Sequence, residues 1–300
     1  MAKRVAIVIG LVAGLWTLAG QAQVFRSAVD LVSLGVTVTD RDGRFVTDLT
    51  ADDFTITEDG SGQAIRLFLR GDAKPAPELH LGLLFDSSGS MEEDISLSRS
   101  AAIKFLNALP DAVDVTLVDF DTEVRVARYG PADFPRLVER IRRRKPDGNT
   151  AMHDAMGVYL DGAAGQEGRK IFLLYTDGLD TSSSMSFPET LDLLRGSDVT
   201  MYAVGFLRSL TGARSMEQRI RLQQMTEATG GLAFFPTSAK DLDPAYEKVV
   251  ADIRAQYTIG YLSTNTKTDG SWRKVEIKVT RPGLKVRSRK GHFAPFRQQP

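Results

Sequence analysis

Leu83-Leu84-Phe85-Asp86-Ser87-Ser88-Gly89-Ser90-Met91 reads as the end of an apolar strand that runs straight into an oxygen-rich turn. Asp86, Ser88 and Ser90 alternate, so one carboxylate and two hydroxyls can converge above the carboxyl end of that strand. Ligands bind at that end in open α/β sheets. Outward from this point, short apolar runs at 79–85, 113–120, 124–129, 170–176, 200–204 and 232–235 alternate with amphipathic stretches. Ile95, Ala102, Phe105, Leu106 and Leu109 share one helical face, and Leu242, Tyr246, Val249 and Ile253 share another within 241–256. Strands alternating with helices at this spacing predict a doubly wound, mostly parallel six-stranded sheet over 79–256. Only Asp121-Thr122-Glu123 is hairpin-short, so the strand after it is expected to be an antiparallel edge.

On both sides of this region the period changes to two. Leu34, Val36 and Val38 alternate with small or polar residues, as do Phe54 and Ile56, then Ile65, Leu67 and Leu69. Turns at Asp40-Arg41-Asp42-Gly43 and Glu58-Asp59-Gly60-Ser61-Gly62 separate them, giving a small antiparallel unit over 28–72. After Tyr257 the same period returns through Tyr257–Leu262, then Val275, Ile277 and Val279, then Leu284 and Val286, within 257–296. Three strands at one end and three or four at the other are each marginal alone. The expectation is one discontinuous β-sandwich with the α/β domain inserted in it, Gly71 to Glu78 as a linker and a frayed tail from Arg297.

Residues 1–22 read as a secretory signal peptide. Lys3-Arg4 precedes an apolar run from Val5 to Leu18, and Gly20-Gln21-Ala22 places small residues at −3 and −1 of a cleavage site. That run is too short to span a bilayer, and no later segment is long and apolar enough. The reading is therefore extracytoplasmic, periplasmic or secreted, without a membrane span. Net charge is +0, and it falls to about −2 without Lys3 and Arg4, which removes the electrostatic case for nucleic acid. Cys is 0, which excludes disulfides, thiolate nucleophiles and Cys-ligated metals.

Two further oxygen donors stand at equivalent turns. Thr150 closes Asp147-Gly148-Asn149-Thr150 before a helix, and Asp177 follows the strand ending in Tyr175-Thr176. Asp86, Ser88, Ser90, Thr150 and Asp177 form an all-oxygen set with two anions, which suits a hard cation, Mg²⁺ first and Mn²⁺ or Ca²⁺ next. Each residue also has a local explanation. Ser90 with Glu93 spells a capping box, Thr150 alone an N-cap, and Asp177-Gly178 a turn. None of these accounts predicts all five in this order.

These residues, with the order of elements around them, resemble the von Willebrand factor type A (VWA) domain. The D-x-S-x-S of Asp86, Ser88 and Ser90, with Thr150 and Asp177, matches that family's metal-ion-dependent adhesion site. Met201-Tyr202-Ala203-Val204-Gly205 matches a central strand, and the flanks resemble those of secreted bacterial VWFA-related proteins. The resemblance implies a non-enzymatic module that binds a protein partner's Asp or Glu carboxylate through a divalent ion.

Other motifs carry less. Asp40-Arg41-Asp42-Gly43 lacks the later ligands of a calcium loop and reads as a turn. Arg142-Arg143-Arg144-Lys145 reads as a solvated helix C-terminus, and His153 as a surface helix histidine. Two competing functions remain: an envelope scaffold with a vestigial metal site, and a metal-assisted hydrolase with His153 as base.

Overall fold

The computed structural model describes residues 31–71, 73 and 77–296; the expected leader 1–22, half of the linker 71–78 and the tail from Arg297 lie outside them. The described chain begins with β1 (Leu31–Thr39), β2 (Phe54–Glu58), β3 (Ser61–Gln63) and β4 (Ile65–Leu69). It continues through β5 (Leu79–Asp86), α1 (Ile95–Ala108), β6 (Asp114–Phe120), β7 (Val124–Tyr129), α2 (Phe134–Arg143) and α3 (Met152–Ala163). Next come β8 (Arg169–Thr176), α4 (Phe187–Gly196), β9 (Thr200–Gly205), α5 (Gly212–Ala228), β10 (Ala233–Phe234) and α6 (Ala239–Ala255). The last strands are β11 (Tyr257–Leu262), β12 (Trp272–Val279), β13 (Lys285–Arg287) and β14 (Gly291–Phe293). No helix among the described residues is long and apolar enough to cross a membrane.

The central sheet has the order β10-β9-β8-β5-β6-β7, parallel except for the antiparallel edge β7. After β5 the chain adds β6 and β7 on one side, then returns to add β8, β9 and β10 on the other. The order therefore reverses beside β5, at the position where α/β sheets open a crevice. Side chains of β5 alternate between two cores: Leu81, Leu83 and Phe85 pack with α1, α2 and α6, while Leu84 packs with α3, α4 and α5. Gly82 is required in that strand, because a Cβ there would lie 2.4 Å from the Tyr159 ring.

The flanking segments form two four-stranded sheets, β13-β1-β11-β4 and β14-β12-β2-β3. The N-terminal strands complete their sheets with the C-terminal ones, as the expected discontinuous sandwich requires. β11 lies between β1 and β4, and β12 pairs with β2, so every sheet needs both ends of the chain. The shared core joins Leu34, Val36, Phe54 and Ile56 to Tyr257, Ile259, Val275 and Ile277. The β2–β3 turn carries Asp59 and Gly60 at φ 48° and 84°, the two left-handed residues of a tight hairpin. β14 was not expected, because Gly-His-Phe carries no period-two run. It forms where Gly291 lets Trp272 pack against the backbone, since a Cβ there would lie 2.4 Å from the indole.

The α/β domain and the sandwich are fastened at Asp252 of α6, which is fully buried. Its carboxylate accepts from Thr37 Oγ1 of β1 at 2.8 Å, from Tyr202 OH of β9 at 2.9 Å, and from Arg287 of β13. One residue separates α6 from β11, so the helix runs almost directly into the sandwich.

Candidate functional site

The carboxyl ends of β5 and β8 are neighbours, and the turns leaving them form the floor of the site. Asp86 is the last residue of β5 and is completely buried, as is Ser88. Asp86 Oδ1 accepts from Ser88 N at 3.0 Å and from Ser88 Oγ at 2.6 Å. Ser88 Oγ lies 3.1 Å from Ser90 Oγ, so the three oxygen-bearing side chains touch in sequence. The chain bends here in a 3-10 turn, Gly89–Met91, and α1 starts only at Ile95 behind Asp94. Ser90 therefore does not cap a helix, and the local capping-box reading fails. The strand end needs a sharp turn, and that turn places Ser90 among the oxygens.

The loop before α3 is pinned to this turn by Gly89 N donating to Gly148 O at 3.0 Å and Asp147 N donating to Ser87 O at 2.9 Å. Thr150 is buried just ahead of α3, whose N-cap is Ala151. Its carbonyl accepts from Thr181 N at 2.9 Å and Ser182 N at 3.0 Å, which ties it to the loop after β8. Asp177 opens that loop and is 1% exposed. Its Oδ1 accepts from Leu179 N at 3.0 Å, while Oδ2 is buried with no hydrogen-bond partner. The structure thus joins Asp86, Ser88 and Ser90 directly, sets Asp177 within electrostatic reach of Asp86, and brings Thr150 in through backbone bonds.

Electrostatics set this floor apart. Burial, and then the neighbouring Asp177, push the Asp86 carboxyl up to about 7. The hydrogen bonds from Ser88 and Thr176 act in the opposite direction without overcoming this. No Lys, Arg or His forms an ion pair with Asp86 or Asp177 among the described residues. Two adjacent buried carboxylates, one with an orphaned oxygen, fit a cation better than they fit water or an apolar neighbour. Among the described residues no cluster of three or more His, Cys, Asp or Glu is gathered for a metal. The donor set here is instead two carboxylates and three hydroxyls, a hard-cation set without nitrogen or sulfur.

Sequence reasoning missed several supports. Thr176 Oγ1 donates to Asp86 Oδ2 at 2.6 Å and accepts from Gly178 N at 3.0 Å; its only signal was its place before Asp177. Arg144 does not belong to a solvated helix end. It lies past α2, half-buried, with Nε donating to Ser87 Oγ at 3.0 Å and its guanidinium against Asp121. Arg142 and Lys145 of the same run are exposed, and Arg143 pairs with Glu139 at the surface. His153 is not a surface residue. It is 4% exposed, its ring faces Phe187 at 6.1 Å, and Nδ1 has no partner. Burial lowers its basicity, and among the described residues no carboxylate hydrogen-bonds its ring. Of the three acidic residues after Met91, Asp94 is buried and paired with Arg208, which leaves Glu92 and Glu93 exposed at the mouth.

Residues 80–248 match the family model for the von Willebrand factor type A domain. Among solved structures, a von Willebrand factor type A protein from Catenulispora acidiphila is 15% identical at a TM-score of 0.52, covering 82% of this chain and 74% of that one. The open conformation of the pilus adhesin SpaC from Lactobacillus rhamnosus GG is 12% identical at a TM-score of 0.51, covering 81% and 48%. The PilB minor pilin from Streptococcus sanguinis is 14% identical at a TM-score of 0.48, covering 60% and 62%. The chain therefore spans less than two thirds of the length of the SpaC and PilB chains. Comparison with curated proteins finds no match.

Proposed function

The chain belongs to the von Willebrand factor type A domain family, and from that premise we propose that it is an exported, non-enzymatic binding module. It holds a divalent cation, Mg²⁺ first and Mn²⁺ or Ca²⁺ as alternatives, on Asp86, Ser88, Ser90, Thr150 and Asp177. When bound, the ion offers an open position to the carboxylate of an Asp or Glu on a protein partner.

The observation that carries this reading is the buried Asp177 Oδ2 without a partner, beside an Asp86 whose charge the chain leaves unmatched. Two carboxylates and three neutral hydroxyls balance a divalent ion without excess negative charge, so an anionic ligand is still attracted. Ser88 and Thr176 hold the Asp86 carboxylate in place before any ligand arrives, and Arg144 holds Ser87 at the base of the loop. The site is thus preorganised by hydrogen bonds that do not involve the ion. Likeness to a pilus adhesin accords with adhesion-type binding, and it rests on the fold alone.

Capture from an envelope extract in Mg²⁺ and again in EDTA tests the partner claim. A protein retained in Mg²⁺, released by EDTA and not retained by Asp86→Ala is the expected result. Retention indifferent to EDTA and to that substitution would favour the scaffold reading with a vestigial site.

A further inference from the structure

Away from the metal-site candidate, a cavity of about 550 Å³ lies between the α/β domain and the sandwich. Its volume falls in the range of small-ligand pockets. Leu160 and Val199 line one side, and Leu31, Phe293 and Pro295 the other. Between these apolar residues and the hydroxyls of Ser33, Ser197 and Thr268 the chain sets Arg289, which is 7% exposed. Arg289 Nη1 donates to Ser197 O at 2.7 Å and Nη2 to Ser33 O at 2.8 Å, so the guanidinium bridges α4's end and β1. Its Nε has no partner, and no carboxylate forms an ion pair with it among the described residues.

Three of the other four charges around the cavity are already matched. Arg273 pairs with Glu58 at 3.4 Å, and His292 Nε2 lies 2.9 Å from the same carboxylate. Asp198 is held by Lys170 at 2.7 Å. Lys267, on the wall, is exposed. Arg289 is left as a buried cation without a direct ion pair, Asp198 acting on it only through space, an arrangement that a closer counter-charge would complete.

We propose that this cavity binds a small organic monoanion, its carboxylate on Arg289 and its apolar body against Leu31, Leu160, Val199 and Phe293. A single carboxylate matches the one guanidinium without a direct ion pair, and the Asp198 carboxylate beside it opposes a doubly charged phosphate more than a monoanion. The apolar wall calls for a body that phosphate lacks. Because Arg289 touches both the α/β domain and the sandwich, an occupant would stiffen the junction between them.

The test uses the full chain carrying Asp86→Ala, in EDTA, so that no carboxylate can act through a divalent ion. Melting is followed with hexanoate, acetate, hexanol and inorganic phosphate at equal ionic strength. Hexanoate is expected to raise the melting temperature saturably and acetate less, with hexanol and phosphate without effect. Ala164→Trp, at an exposed position on the rim, should block the hexanoate shift while leaving the fold intact. Arg289→Met should weaken hexanoate about tenfold or more, the loss of one charge-assisted contact. Absence of a hexanoate shift would overturn the proposal, as would an equal shift with hexanol or phosphate, or a shift that survives Ala164→Trp. None of these outcomes bears on the divalent site, which is tested separately.

Discussion

The sandwich and the α/β domain each bury a carboxylate where an apolar core should be, and they treat it in opposite ways. Glu58, with its side chain 1% exposed, receives Tyr261 OH at 2.7 Å, a Ser263 hydroxyl, His292 at 2.9 Å and Arg273 at 3.4 Å. Burial raises its carboxyl, but the bonds from Ser263, His292 and Tyr261 outweigh this and hold it below the ordinary value of 4.5. Asp86 is buried as deeply, yet its nearest charged neighbour is another carboxylate, and it is pushed up to about 7. The sandwich supplies a cation to Glu58, and the α/β domain, which pairs its other buried carboxylates such as Asp94 and Asp121, supplies none to Asp86. A buried charge with a protein counter-ion is part of the fold; one without invites a ligand.

The largest effect should come from breaking the completed cluster. Arg273→Met leaves Glu58 buried without its guanidinium and should cost about 3–5 kcal/mol in chemical denaturation. A loss below about 1 kcal/mol would mean that His292, Tyr261 and Ser263 suffice alone, and that the contrast with Asp86 is one of hydrogen bonding rather than of charge.

Acidity should separate the two regions next. Asp86 is raised in the folded state, so between pH ~4 and about 7 the native chain holds more protons than the unfolded one. Without divalent ions, stability should therefore fall as pH rises through that window, and Mg²⁺ should flatten or reverse the slope. Glu58 is depressed, so its contribution is present above 4.5 and is lost as pH falls through its lowered folded value. Melting curves from pH 3 to 8, in EDTA and in Mg²⁺, read both trends. A metal-free stability that climbs from pH ~4 to 7 would contradict the account of Asp86.

Asp177→Asn sharpens the comparison with a smaller change of opposite sign to Arg273→Met. It removes the like charge beside Asp86, and metal-free stability should rise by about 1–2 kcal/mol. The same variant should lose its response to Mg²⁺.

How much of this was legible follows from the range of each interaction. The strand ending in Asp86, the hairpin-short link to β7 and the buried faces of α1 and α6 are local patterns, and the sequence period displays them directly. Asp86, Ser88 and Ser90 could be placed together because they alternate on one strand end. The bond from Thr176 to Asp86 spans 90 residues, and nothing in either segment announces it. Arg144 read as part of a solvated run because three of its neighbours are basic, and only the fold brings Asp121 and Ser87 to it. His153 read as a surface helix histidine, and nothing near it in sequence announces Phe187, which packs against its ring from another helix. In the sandwich, period two identified which residues face inward but not which strands pair. That choice depends on β11 and β12 arriving from the far end of the chain.

The Asp86–Asp177 floor calls for a cation that the chain itself does not provide. Calorimetric titration of the metal-free protein with Mg²⁺, beside the same titration of Asp86→Ala, tests it most directly. The account predicts one saturable site per chain and a raised melting temperature in the wild type, with both absent from the variant. Equal heats in the two proteins, or no heat and no shift in either, would contradict it.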